Sequence, residues 1–163
     1  MNIIVMELPQ TEVAFIRRTG SYFELQDHWR DLISWANTNG LLPPKQSFIG
    51  ISLDNPELVE SKVCRHDACV TIPEGFDKEK HQEVKFRKLP GGDYALYHFF
   101  DIPDKLNGAY QYMFGEWLPN SDYEPDYDRH SLEYNLNNPA EDEEGKCKVD
   151  LYVPIKKRIS YAE

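Results

Sequence analysis

The chain has 163 residues, 40% of them hydrophobic and 13% aromatic, and a net charge of −10. That is enough apolar material for one packed domain, or two half-domains sharing a core, and too much for a disordered chain. Eighteen Lys and Arg against 28 Asp and Glu repel a phosphate backbone, so direct nucleic-acid binding is not expected and a cationic partner is easier to accommodate.

Two short apolar runs, residues 3–6 and 13–16, flank Pro9 and read as strands. After Thr19-Gly20, Ser21 and Glu24 form a capping-box pattern. Tyr22, Leu25, Trp29, Leu32, Ile33 and Ala36 then recur at helical spacing. Gly40 ends this helix and Pro43-Pro44 prevents its resumption. Residues 48–53 and 68–72 are the next strands, the first closed by the Asn55-Pro56 turn. The polar stretch 74–82, with Gly75, reads as a linker. Strands at 84–86 and 94–99 follow, around Pro90-Gly91-Gly92. Residues 101–104 open a second helix whose stripe is Leu106, Ala109, Tyr110, Met113 and Trp117, with Pro119 just beyond it. Residues 132–136 and 149–153 supply the last strands, joined through the acidic loop 137–145.

The sequence repeats itself. Residues 9–17 line up with 90–98, Asp54-Asn55-Pro56 with Asn137-Asn138-Pro139, and residues 69–73 with 150–154. Three matches in the same order at nearly the same spacing indicate a duplicated βαββ unit, with halves 1–80 and 81–163 forming one domain. The predicted fold is α+β, with antiparallel sheets and two helices, each helix stripe covering a sheet face. Eight strands exceed what two helices cover, which leaves a groove between the halves as the expected ligand cleft.

Residues 132–136 alternate as a strand, with Leu132, Tyr134 and Leu136 on one face and Glu133 and Asn135 on the other. If the apolar set meets the helix, Glu133 points into the groove. A carboxylate in a dry, aromatic-lined cavity is costly without a cation or a donor beside it. Glu133 is therefore either a counter-charge for a cationic ligand, a general base, or an ordinary solvent-facing Glu. Tyr22, Trp29, Tyr110, Tyr112, Trp117 and Tyr123 offer stacking surfaces or core staples, and His98 an acid–base group or a residue satisfied by a neighbour.

Cys64, His66 and Cys69 lack a fourth ligand at recognisable spacing, so no metal is expected. The phosphate-binding loop, the dinucleotide fingerprint, H-E-x-x-H and G-x-S-x-G are all absent, so no cofactor is called for either. Three cysteines without C-x-x-C spacing suit a reducing, cytoplasmic setting better than a disulfide framework. No window is apolar enough for a membrane span, and MNIIVMELPQ lacks a signal-peptide pattern.

Several stretches in order resemble the GyrI-like small-molecule-binding family, which takes in the DNA gyrase inhibitory protein and the effector-binding domains of AraC- and MerR-type multidrug regulators. They are Val13-Ala14 through Gly20-Ser21-Tyr22, Trp35-Ala36-Asn37, Gly50 through Pro56, Arg65 through Val70, Pro90 through Ala95, Trp117 through Ser121, Leu132-Glu133-Tyr134-Asn135, Asn138-Pro139 and Val149 through Ile155. The resemblance covers almost the whole chain. It implies a duplicated βαββ fold with a cleft in which an acid on a strand like that of Glu133 meets cationic aromatic compounds. Carried onto this sequence, the ligand-binding set is Glu133 with Tyr22, Tyr94, Tyr110 and Trp117. Regulators of this family carry a helix-turn-helix domain ahead of this one; here the chain opens on the first strand, so a DNA-binding transcription factor is not expected unless the domain works in trans. Residues 99–103 also replace a Gly-containing turn common in the family, altering the expected cleft rim.

The leading expectation is a stand-alone binder of a hydrophobic, cationic small molecule, in stress or toxin protection and without a catalytic residue. The alternatives are a modulator docking on DNA gyrase, and a hydrolase of electrophilic cyclopropane-type toxins acting through Glu133 and Tyr110.

Overall fold

The computed structural model describes residues 2–159. Nine antiparallel strands and two helices make the α+β fold that the pattern predicts. They are β1 (Ile3–Leu8), β2 (Thr11–Thr19), α1 (His28–Thr38), β3 (Phe48–Ser52), β4 (Arg65–Thr71), β5 (Lys85–Leu89), β6 (Gly92–Asp101), α2 (Leu106–Tyr112), β7 (Tyr123–Pro125), β8 (Leu132–Asn135) and β9 (Cys147–Lys157). The chain forms two compact units, residues 10–90 and residues 1–9 with 91–163.

In the unit of residues 10–90 the strand order is β3-β4-β2-β5. In the other it is β8-β9-β6-β1, with β7 on β9. The two sets of strands repeat one topology, yet the leading strand of each sequence half is exchanged. β1 pairs with β6, and β5 pairs with β2. Once β2 is set on β6 by the Val13-Ala14/Tyr94-Ala95 match, the ladders put Ala68 level with Leu151 and Gly50 level with Glu133. The match of residues 69–73 with 150–154 is thus two residues out of structural register.

α1 begins later than the capping box implies. Ser21 Oγ accepts from the Phe23 amide, and Glu24 pairs with Arg18 at 2.9 Å instead of reaching back to a helix terminus. Residues 21–27 are therefore a turn, Leu25 stands exposed, and Tyr22 lies outside the helix. The buried stripe is His28, Leu32, Trp35 and Ala36. The end is as predicted. Gly40, at φ 68°, donates to Asn37 O, and the Leu41 amide to Ala36 O at 2.9 Å, a Schellman closure that buries Leu41. Ala14, Leu32, Trp35, Ala36, Ala68 and Val70 form the core beneath.

α2 is a single run of seven residues that continues as a π-helical segment, Met113–Trp117, closed by Leu118 N–H to Met113 O at 2.9 Å. The wider turn lets Met113, Trp117 and Leu118 all reach the sheet. They meet Ala95, Phe99, Val149, Leu151 and Val153.

Gly92 adopts φ +143°, and a Cβ there would lie 2.6 Å from a nitrogen of Arg129. That guanidinium cannot simply swing away: it bonds Asp126, Asp93 O and Ile155 O and lies 4.7 Å over the Tyr94 ring. Gly92→Ala is expected to cost about 1–3 kcal/mol, as strained backbone conformations do. Urea unfolding of the variant measures it.

Candidate ligand site

β8 alternates as predicted, with its faces the other way round. Glu133 is the cross-strand partner of Leu151, which lies in the core under α2. Opposed residues share a sheet face, so Glu133 sits on the helix side. The same row continues through Tyr97 on β6 and Ile3 on β1. On the reverse face, Tyr134 and Tyr94 each meet the Tyr152 ring, at 5.0 and 6.0 Å.

Tyr110, one of the α2 stripe residues, donates its hydroxyl to Glu133 Oε2 at 2.7 Å. Burial raises the Glu133 pKa, and the Tyr110 bond pulls it part of the way back. Tyr110 itself is held well above an ordinary phenol, first by burial and then by the charge and hydrogen bond of Glu133. Both are deep in the protein mass yet keep some accessible surface. Among the described residues no Lys, Arg or His contributes to the electrostatics of Glu133.

The other buried acid shows what compensation looks like. Asp67, fully buried, takes two bonds from Arg17 at 2.7 and 3.0 Å and one from Arg87 at 2.8 Å. Both guanidiniums also flank the Phe15 ring. One buried carboxylate is thus doubly neutralised, and Glu133 has a single neutral donor.

Of the residues singled out in the sequence, the structure brings Glu133 and Tyr110 together. Trp117 lies on the same helical element, packed against the same core, and stacks on Tyr123 at 6.3 Å. Tyr94 is on the face of its sheet opposite to Glu133, 1% exposed. Tyr22 belongs to the unit of residues 10–90, where its hydroxyl shares its one proton between Arg65 O at 2.7 Å and Asp54 O at 3.0 Å. His98 is exposed and bonds Asp150 at 2.6 Å. The sequence reading missed Tyr97, although its position two residues from Ala95 on an alternating strand was the available signal.

The duplicate of the site is filled. Gly50 stands level with Glu133, and Trp29 follows the buried His28 of α1 as Tyr110 follows the buried Ala109 of α2. A Cβ on Gly50 would meet His66 Nε2 at 3.3 Å and Trp29 Cζ2 at 3.4 Å. His66 in turn bonds His28 at 2.7 Å. Burial depresses both imidazoles, His66 to about 4. The three cysteines are free and buried, no cluster of three metal-ligating side chains occurs among the described residues, and no helix is long and apolar enough to cross a membrane.

The duplicated α+β fold thus sets one carboxylate, Glu133, beneath a helix. The chain belongs to the GyrI-like family: residues 1–156 match the GyrI-like small molecule binding domain. It is 29% identical over 123 residues to the SPbeta prophage-derived protein YosT of Bacillus subtilis (strain 168), covering 74% of this chain and 80% of that one. It is 26% identical over 159 residues to a DNA gyrase inhibitor of Yersinia enterocolitica, covering 96% and 99%. Among solved structures, the EcmrR–DNA complex matches with a TM-score of 0.73 at 14% identity, over 96% of this chain and 58% of EcmrR. A hydrolase from Listeria innocua matches at TM-score 0.71 and 11% identity, over 94% and 91%. SAV2435 bound to tetraphenylphosphonium matches at 0.64 and 11%, over 96% and 94%. These structural likenesses show the fold.

Proposed function

We propose that this chain binds a hydrophobic cation under α2, with Glu133 as the counter-charge and Tyr97, Tyr110 and Trp117 as aromatic surface. The observation that carries this reading is the buried Glu133 carboxylate with one neutral donor and, among the described residues, no cation beside it. A bound cation supplies the missing charge where desolvation makes it worth most, and ring faces add cation–π attraction. Charge distribution supports the same reading. The unit holding Glu133 has sixteen acidic residues against seven Lys and Arg, whereas the other has twelve against eleven. Such a field concentrates cations around the first unit. The role that suits this site is sensing or sequestering a toxic compound.

Titration calorimetry with tetraphenylphosphonium tests it. Wild type is expected to bind, and Glu133→Gln to bind roughly tenfold or more weakly, since losing the charge partner costs at least about 1.4 kcal/mol. Affinity should rise with pH as Glu133 ionises through its raised pKa, and stay flat in the Gln variant. Equal affinity in the two proteins would remove Glu133 from the site.

A hydrolytic reading rests on the 2.7 Å Tyr110–Glu133 pair, a hydroxyl donor beside a carboxylate that could act as base, and on the shared fold with the Listeria hydrolase. Recovery of an electrophilic test compound as its hydrolysis product, dependent on Glu133, would select it. The likeness to DNA gyrase inhibitors supports docking on gyrase, which a supercoiling assay with the purified chain decides.

A further inference from the structure

The two terminal strands of the sheets differ in how their free edges are protected. β5, Lys85–Leu89, carries Lys85, Arg87 and Lys88, the charged dressing that keeps an edge from pairing with another strand. β1, Ile3–Leu8, reads IIVMEL and has Glu7 as its one charge. Its hydrogen-bonded neighbour is β6. Ile4, Val5 and Met6, at the centre of the strand, are 41%, 42% and 37% exposed. An apolar strand with one open side is a template for another strand.

We propose that β1 is the interface between two copies of this chain, paired antiparallel about Val5. The register follows from the strand itself. Centred on Val5, the pairing opposes Val5 to its copy, Ile4 to Met6, Met6 to Ile4, and Ile3 to Glu7. Every exposed apolar residue of the strand then gains an apolar partner on its own face, because residues of like parity share a face. Pro9, which cannot donate to a ladder, stays outside the paired run. Charge at the strands separates a β1 pair from a β5 pair. Two β5 edges would set like charges in apposition. In the β1 pair Glu7 lies opposite Ile3, and the two Glu7 residues are about 13 Å apart along the strands. The pair is isologous, so association stops at a dimer.

The test uses the whole chain. Light scattering on a sizing column is expected to give about twice the 19.1 kDa chain mass. Val5→Lys should return the chain mass with an unchanged circular-dichroism spectrum. Residues opposed across a two-fold axis have Cα atoms about 4.5–5.5 Å apart, within disulfide reach, and the native cysteines are buried. Val5→Cys should therefore form a disulfide-linked dimer under mild oxidation, and Glu7→Cys should not. This second readout decides the matter if Val5→Lys fails to fold. A single-chain mass at every concentration would overturn the proposal. A larger assembly, in which β5 of another copy fills the edge, would also overturn it, as would cross-linking of Glu7→Cys in place of Val5→Cys.

Discussion

Glu133→Gln is expected to make the empty protein more stable at neutral pH by about 1–3 kcal/mol, the scale of a poorly compensated buried polar group. Gln keeps the acceptor for the Tyr110 hydroxyl and removes the charge that burial penalises. The folded pKa of Glu133 lies above its unfolded value, so the folded state holds the proton more tightly. The associated stability is fully present below the unfolded pKa and is lost as pH rises through the folded one. Wild type and variant should therefore unfold alike near pH 4 and diverge above it. Urea titrations from pH 4 to 8 measure the gap. A variant less stable than wild type at pH 7 would mean that the charge is already compensated. A binding residue whose removal stabilises the empty protein is a cost that function retains.

Acidification is expected to destabilise the unit of residues 10–90 through the His28–His66 pair. The two rings share a hydrogen bond at 2.7 Å, so the accepting ring is neutral, and burial disfavours the charged form of both. His28 Nδ1 has no partner among the described residues. Burial is the main cause of both depressed values, and for His66 the second is His28 itself. Arg18 on β2 also opposes protonation, while Asp27 and Asp31 beside or on α1 and Asp67 on β4 favour it. With the folded value of His66 at about 4, the unfolded chain takes up its proton first as pH falls. Stability is complete above roughly pH 6.5 and falls toward pH 4, by about 2–3 kcal/mol for a shift of this size. In His66→Asn the slope across that window should flatten. Measuring it in the Glu133→Gln background removes the opposing slope of the carboxylate. An unchanged slope in His66→Asn would place the acid sensitivity elsewhere.

The sequence revealed what depends on local pattern. The alternating runs became strands, because the period of two survives wherever one face is buried. The duplication showed through turns and strand cores. Gly40 ended its helix for the reason read from the residue, a left-handed C′ position. What failed was set by tertiary partners. Ser21 and Glu24 spell a helix start, but Arg18 takes Glu24 and the turn at residues 21–27 wins. β7 is Tyr123-Glu124-Pro125, three residues with a proline, too short for any periodicity. In β8 the alternation separated Glu133 from its neighbours, but the apolar look of Leu132 and Tyr134 suggested the helix side for them. Tyr152 and Tyr94 supply an equally apolar surface on the other face. The exchange of β1 and β5 was not legible in the sequence, since it concerns which distant strand each one pairs with and local alternation does not encode that.

That exchange also orders the birth of the fold on the ribosome. Residues 10–90 contain every strand of their own sheet, so this unit can close as soon as β5 emerges. β1 is made first but must wait for β6, some ninety residues later, before it has a partner. For that interval the most apolar strand end of the chain is an unpaired nascent segment, the condition under which non-local β pairing is slow and prone to association. A circular permutant opened between Pro9 and Gln10 moves β1 behind β9. Residues 10–90 would then be made as an uninterrupted unit, and β1 would arrive when β6 is already in place.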